Sequence, residues 1–483
     1  MKNVCQSVVN GLKRVFEEQQ YPQQQGTIAV LDGVRALAIL FVIAFHVDWT
    51  NKNYLHLWDW RVDPLASAVA IAGGTGVTLF FVLSGFLLFM PYAKALLFAG
   101  RWPLARVFYL RRALRIIPGY YLSLFSLILL EQRAFFSAIR WSGPLQYLNF
   151  LLDATQKPQV PTLGNLALFL TFLMDSSSQT FRQLDGPYWT LAVEWQFYML
   201  LPLLALGILL LVRRVPLQRR LTAVTLCLLG IVFLGLAVRF AGLYFRDNPT
   251  ATVLVPRPVL NVALFFTYGM SGKYTEDFAV GMLAGLCYIY AQSLPAEHHF
   301  VRALRRWSLW LWGVGLLLLV FSAMWHWQSD RTTPAWSFLE PLMPVYNWLS
   351  EMLLAWGYGL CIMAILFGPR QLQIPFAWLP LRWIGLISYS LYIWHLPMLQ
   401  LFEFLLTLFP GLNFYAGYLL SWAWILLVVF PFCLCYYIVV EKPGIKLGDR
   451  WRKALEARYK DRLQQVQVSV SESQTTAEPV GTK

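Results

Sequence analysis

The sequence predicts an all-α fold, namely a polytopic integral membrane bundle of about ten transmembrane helices. Of its 483 residues, 58% are hydrophobic and only 13% are charged, whereas soluble domains are about 45–50% apolar and about 25% charged. Aromatic residues make up 16% of the chain, a surplus that suits the aromatic belts at the two membrane surfaces. The composition therefore excludes a water-soluble fold.

Ten runs of predominantly apolar residues have the length of about 17–25 residues that a helix needs to cross the hydrocarbon core. These predicted spans cover residues 34–50, 75–98, 113–131, 188–212, 221–240, 277–295, 307–327, 347–368, 383–409 and 415–440. A shorter run, Leu163 to Met174, is too brief to cross and is bounded by polar segments. We predict that it forms a re-entrant or interfacial helix.

The basic residues predict the orientation of the bundle. If both termini are cytoplasmic, the inner segments hold 26 of the 39 Lys and Arg residues and the outer segments hold 10. Because positively charged loops stay on the cytoplasmic side, this split predicts cytoplasmic termini. It also explains the net charge of +14 without a nucleic-acid partner. The first 26 residues are polar, so we expect the first span to act as an uncleaved signal anchor.

Composition divides the chain into four predicted segments. A cytoplasmic N-terminal segment (1–30) precedes a transmembrane domain (31–443). In the next segment (444–465), apolar residues recur every four positions among seven Lys and Arg residues, which is typical of a helix on the inner leaflet. The last segment (466–483) is rich in Ser, Thr, Gln and Glu, so we predict a disordered tail.

Two ionisable residues lie on one face of the first span. Arg35 and His46 are 11 positions apart, which places them on the same face of a helix with the His roughly 16 Å further across the membrane. Ionisable residues inside spans are costly and are functional hypotheses by default. Alternatively, Arg35 reaches back to the inner headgroups and His46 bonds a neighbouring helix. The pair alone does not decide between these interpretations.

These two residues open a series of motifs that resembles the membrane acyltransferase 3 family, whose signature is Arg, ten residues, His. Seven motifs follow in order and identify residues 31–443 as a member of that family. They are Leu31 to Ala38 with His46, Phe80 to Phe86, Arg112 to Pro118, Trp189 to Tyr198, Gly281 with Met282, Ser388 to Tyr392 with His395, and Glu441 to Pro443.

The resemblance implies O-acylation, usually O-acetylation, of an extracytoplasmic carbohydrate or another hydroxylated molecule, with cytoplasmic acyl-CoA as the donor. We therefore expect an O-acetyltransferase of the bacterial inner membrane that uses acetyl-CoA as a substrate, without a permanently bound cofactor or metal. The first span suits this reaction. Arg35 at the inner mouth matches the nucleotide phosphates, and a neutral imidazole at His46 can accept the proton of the acceptor hydroxyl. The acceptor and the acyl group stay open.

Glu194 is the second predicted catalytic residue, because a carboxylate inside the fourth span needs a partner. It could pair with His46 and hold its tautomer, as a carboxylate does in a catalytic triad. Alternatively, it pairs with an Arg or a Trp N–H and holds helices together.

Further candidates concern the donor. Arg112 and Arg115 are three positions apart and share a helix face at the inner edge, where they bind CoA phosphates or only set topology. Ser84 is predicted to line the donor channel or to pack between helices. For His395, a structural or substrate-orienting role is favoured over catalysis.

Two other functions remain open. A transporter or flippase for a lipid-linked glycan would also contain intramembrane charge, but transporters usually show inverted repeats, and none is visible here. Another superfamily of membrane acyltransferases would share the chemistry, although we do not expect its catalytic His in the first span. Only about 40 residues follow the last predicted span, so we expect transfer to use the membrane domain itself or another protein.

Overall fold

The computed structural model describes residues 29–53, 73–131, 161–329, 336–407 and 414–457, and within these ranges the chain is built from helices and their connections. The predicted all-α membrane bundle is confirmed. The helices are α1 Ala29–Asn53, α2 Gly76–Phe98, α3 Ala105–Glu131, α4 Leu163–Leu170, α5 Tyr188–Val212, α6 Arg220–Asp247, α7 Arg257–Thr267, α8 Thr275–Gln292, α9 His299–Ser329, α10 Tyr346–Phe367, α11 Arg370–Ala377, α12 Leu379–Leu386, α13 Ser388–Thr407, α14 Phe414–Trp424 and α15 Phe430–Tyr436.

Within the described residues, eight helical segments are long and apolar enough to cross a membrane. The two other predicted spans are helical as well. The predicted span 277–295 corresponds to α8, which has 18 residues and begins with a polar first turn. The predicted span 383–409 is divided into α12 and α13 by a break at Ile387. This break was not predicted, because the apolar run continues through it.

The last span continues beyond its predicted end. Helical conformation runs from α14 through α15, with π-helical turns at Ile425–Val429 and Tyr437–Glu441, and extends to residue 457. The described part of the predicted basic helix is therefore an extension of the last span, and Asp449 anchors it to α3 through an ion pair with Arg111 at 3.5 Å. Its position on the inner leaflet stays a prediction. The predicted tail 466–483 and most of the N-terminal segment lie outside the described residues.

Glycine lets α2 and α8 approach closely. A Cβ atom on Gly85 would lie 2.1 Å from the carbonyl oxygen of Phe278, and one on Gly281 would lie 2.1 Å from that of Val82. Any larger residue at these positions would push the helices apart. The contact occupies the Gly85 side of α2 and leaves the adjacent Ser84 to face α5.

Helix α1 packs against α2, α11, α12 and α13, so its Arg35 and His46 face lies inside the bundle. Two glycines make these contacts close. A Cβ atom on Gly33 would lie 2.0 Å from the carbonyl oxygen of Phe376, and one on Gly385 would lie 1.9 Å from that of Asp32. The inner end of α1 is therefore held between α11 and α12.

The predicted re-entrant or interfacial run contains α4, a helix of eight residues that is only about 12 Å long, followed by a 3₁₀ turn at Met174–Ser176. Side chains of α3 and α5 donate hydrogen bonds to the backbone of this run. The Tyr121 hydroxyl donates to the carbonyl of Leu170 at 2.7 Å, and the Gln196 amide donates to the carbonyl of Phe172 at 2.8 Å.

An ion pair fixes the end of this segment. Asp175 is 1% exposed and pairs with Lys273 of the loop before α8. Burial lowers the pKa of Lys273 below its ordinary value, in opposition to the charge of Asp175. The segment is therefore held by α3, α5 and the loop before α8. It leads into the loop 177–187, called here the outer loop after the side of the membrane that the sequence predicts for it.

Candidate active site

His46 of α1 contacts a second histidine, His395 of α13. Nδ1 of His46 lies 3.1 Å from Nε2 of His395, and the two rings meet edge to face with centroids 4.8 Å apart. His395 is fully buried, whereas His46 is half-buried. Of the two imidazoles, His46 is therefore the more exposed.

The backbone contacts of the two rings define their tautomers. Nδ1 of His395 lies 2.9 Å from the carbonyl oxygens of Leu391 and Tyr392. Because carbonyl oxygens only accept, this nitrogen carries the proton, and Nε2 of a neutral His395 is an acceptor. Nδ1 of His46 then faces two acceptors, Nε2 of His395 and the carbonyl of Val42 at 2.8 Å, so it carries the proton. Nε2 of His46 keeps its lone pair and can act as a base.

Glu194 has partners that neither sequence interpretation named. Its Oε1 accepts a hydrogen bond from Ser84 at 2.6 Å and another from the hydroxyl of Tyr198. The hypothetical pairing with His46 is therefore wrong, because Glu194 is bound to Ser84 and Tyr198 while His46 is bound to His395. Glu194 and Tyr198 are four positions apart on α5, a spacing that places side chains side by side on a helix. The sequence did contain that signal.

Four cationic side chains gather at the end of the site that is predicted to be cytoplasmic. Arg35 pairs with Asp32 at 3.4 Å and keeps 20% of its side chain exposed. The guanidinium of Arg112 lies 5.9 Å from the ring centre of Tyr198. Arg115 interacts electrostatically with both Arg35 and Asp32, and Arg382 interacts with Asp32. Such a cluster, with less acidic than basic charge, is suited to binding an anion.

The groups described above follow one another across the bundle, and we call this series the polar column. Arg35 and Arg112 interact electrostatically with Glu194. Tyr392 of α13 interacts with Glu194 as well, and its ring centre lies 5.9 Å from that of His395. The hydroxyl of Tyr392 bonds Thr190, near the outer end of α5. Arg35, Ser84, Glu194 and His46 are half-buried, so each keeps part of its surface accessible.

The structure thus brings all six predicted site residues into one column, in two groups separated by roughly the 16 Å between Arg35 and His46. Their individual roles stay predictions. Sequence reasoning gave His395 a structural or substrate-orienting role, and it did not name Tyr198, Tyr392 and Thr190 as site residues. Of these three, only Tyr198 could have been found from the sequence, by its spacing of four positions from Glu194. The others meet the site through packing between helices that are far apart in the chain.

A helical membrane bundle with a cationic cluster at one end of a polar column and a histidine pair at the other fits one class of protein, the polytopic membrane acyltransferases. The chain belongs to the acyltransferase 3 family, because the sequence pattern of this family, described as an acyltransferase domain, matches residues 28–440. The family resemblance of the motifs is therefore confirmed.

Three relatives are similar over parts of the chain. OatA, the peptidoglycan O-acetyltransferase of Listeria monocytogenes serovar 1/2a, is 25% identical over 77% of this chain and 49% of its own length. YrhL of Bacillus subtilis, which carries the provisional name of a peptidoglycan O-acetyltransferase, is 24% identical over 78% of this chain and 50% of its own. Nodulation protein 10 of Rhizobium leguminosarum bv. viciae is 31% identical over 32% of this chain and 38% of its own length. The chain thus spans about half the length, or less, of these relatives. No solved structure matches it significantly.

Proposed function

We propose that the protein is a membrane-bound O-acetyltransferase that moves the acetyl group of cytoplasmic acetyl-CoA to a hydroxyl group of an extracytoplasmic carbohydrate. The observation that carries this proposal is the tautomer of His46, whose Nε2 keeps a lone pair because Nδ1 donates to Val42 and His395.

The reaction needs one proton acceptor and one leaving group. Nε2 of His46 removes the proton of the acceptor hydroxyl while the oxygen attacks the thioester carbonyl carbon of acetyl-CoA. A C–O bond forms and the C–S bond breaks. The thiolate of CoA leaves and takes the proton back from the His46 imidazolium, so the enzyme returns to its starting state. Nε2 of His395 accepts a hydrogen bond from the Nδ1–H group of His46, so Nε2 of His46 stays free of a proton at the start of each cycle.

The donor is proposed to enter from the cytoplasmic side. Arg35, Arg112 and Arg115 match the phosphates of CoA, and Ser84, held by Glu194, lines the path of the pantetheine arm. The distribution of basic residues supports this sidedness, with both termini cytoplasmic in a bacterial inner membrane.

The acceptor class follows from the relatives. OatA and YrhL are named for the O-acetylation of peptidoglycan, and we propose an amino-sugar glycan of the cell envelope as the acceptor of this protein. Glycans of this type present hydroxyl groups on the outer side of the membrane, where His46 is expected to receive them.

Reconstituted transfer tests this function. Detergent-solubilised protein is incubated with [¹⁴C]acetyl-CoA and peptidoglycan strands stripped of O-acetyl groups. We expect alkali-labile radioactive acetate on the glycan and an equal amount of free CoA, because one ester forms per thioester cleaved. A reaction without glycan is the control. Glycan that stays unlabelled while it is moved across reconstituted vesicles would contradict the proposal and favour the flippase.

A further inference from the structure

Asp185 lies in the outer loop with a buried carboxyl group that has no partner. The residue is 1% exposed, and neither side-chain oxygen has a hydrogen-bond partner among the residues that the structure describes. Leaving such a group unsatisfied costs about 1–3 kcal/mol. Burial raises the pKa of Asp185 well above its ordinary value, which favours the neutral acid. A neutral carboxyl group offers one O–H donor and one C=O acceptor.

The backbone around Asp185 is strained. Arg182 and Leu184 have φ angles of 60° and 66°, in the left-handed region that non-glycine residues rarely adopt. The N–H of Asp185 donates to the carbonyl of Gln183 at 2.8 Å and closes a tight turn around Leu184. Strain of this kind persists only where the surrounding structure holds it, and it is concentrated at functional sites.

The outer loop lies beside the histidine end of the polar column. Asp185 interacts electrostatically with Tyr188 and Tyr392, and Arg182 interacts with His46. A Cβ atom on Gly186 would lie 3.2 Å from the Leu396 side chain, next to His395 in α13. The unpaired carboxyl group is therefore linked to the histidine pair through Tyr392, whose ring centre lies 5.9 Å from that of His395.

We propose that Asp185 is the acceptor-binding group of this site: its carboxyl group binds a hydroxyl of the carbohydrate adjacent to the one that His46 deprotonates. The proposal rests on the proposed acetyl transfer. A neutral carboxyl group that both donates and accepts is complementary to a sugar hydroxyl, which does the same. Because the group stays unpaired until a sugar arrives, the site discriminates a glycan from water as the acetyl acceptor.

Substitution of Asp185 by leucine separates acceptor binding from folding. In the purified full-length protein, we expect Asp185→Leu to raise the KM for an N-acetylglucosamine pentasaccharide tenfold or more. Hydrolysis of acetyl-CoA without sugar and the KM for acetyl-CoA should stay unchanged, because the donor end is untouched. The Tm should rise, since an unsatisfied carboxyl group is removed. Asp185→Asn keeps a donor and an acceptor and should retain a KM close to that of the parent.

Two further variants complete the test. Asp185→Ala should raise the KM for the pentasaccharide as the leucine variant does, and it decides the matter if leucine prevents folding. Asp247→Leu, at an exposed position at the end of α6, is the matched control and should leave both KM values unchanged.

Two results would overturn the proposal. A pentasaccharide KM equal to that of the parent in both the leucine and alanine variants would leave Asp185 without a binding role. Parallel loss of acetyl-CoA hydrolysis and sugar acetylation would indicate that Asp185 only shapes the loop. A parent protein that acetylates no sugar would refute the proposed function itself. This outcome is distinguishable from the other two because it is measured in the parent before any variant is compared.

Discussion

Replacement of His46 by alanine is expected to lower acetyl transfer about 10²- to 10⁴-fold, which is the typical contribution of a general base. The fold should persist, because the imidazole is half-buried and its bonds to Val42 and His395 are a small part of the packing of α1. Radioactive transfer to glycan measures the rate, and the yield and Tm of the purified protein report the fold.

Two comparisons make the His46 result specific. His299→Ala, at an exposed position at the start of α9, should leave the rate unchanged. His395→Phe should lower kcat about two- to tenfold with an unchanged KM for acetyl-CoA, because one hydrogen bond of roughly 0.5–1.5 kcal/mol is lost while Val42 still holds the ring. His395→Gln should recover part of that loss through its side-chain oxygen. Normal activity in His46→Ala would remove this residue from the mechanism.

Replacement of Arg35 by lysine is expected to weaken the binding of acetyl-CoA by about 1.5–3 kcal/mol, the range for hydrogen bonds to charged groups. Lysine keeps the charge but loses the planar guanidinium that binds phosphate through two parallel hydrogen bonds. Calorimetric titration of the purified protein with acetyl-CoA measures the change in Kd directly.

The matched control is Arg213→Lys, at an exposed position immediately after α5, which should leave the Kd unchanged. An unchanged Kd in Arg35→Lys would move the phosphate site to Arg112 and Arg115. A parent protein that binds no acetyl-CoA would refute the donor assignment altogether.

The sequence predicts most of the fold because membrane spans leave a strong signal. A run of apolar residues of the right length predicts a helix without knowledge of its neighbours, and α1, α2 and α5 begin within five residues of their predicted spans. The prediction fails where the packing between helices, and not the apolar run itself, determines where a helix ends. The break at Ile387 lies inside a continuous apolar run, at the point where Gly385 contacts the backbone of Asp32.

In the site as well, the features within one helix could be predicted, and those that depend on packing between helices could not. Arg35 and His46 could be placed on one face because both belong to a single helix, and helical geometry alone relates them. The partner of His46 could not be predicted, since His395 is 349 positions away in sequence and reaches it only through the packing of α13 on α1. The unpaired carboxyl group of Asp185 likewise depends on a strained loop conformation that no sequence pattern announced.

If the acetyl group crosses from a cytoplasmic donor to an outer acceptor through the polar column, then transfer must depend on which side of the membrane each substrate is on. The protein is reconstituted into sealed vesicles with [¹⁴C]acetyl-CoA and a membrane-impermeant N-acetylglucosamine pentasaccharide on the same side or on opposite sides. We predict labelled ester only when donor and acceptor are on opposite sides, whichever way the protein is inserted, and in both arrangements once detergent opens the vesicles. Labelled ester in sealed vesicles with both substrates on the same side would show that the acetyl group does not have to cross the membrane.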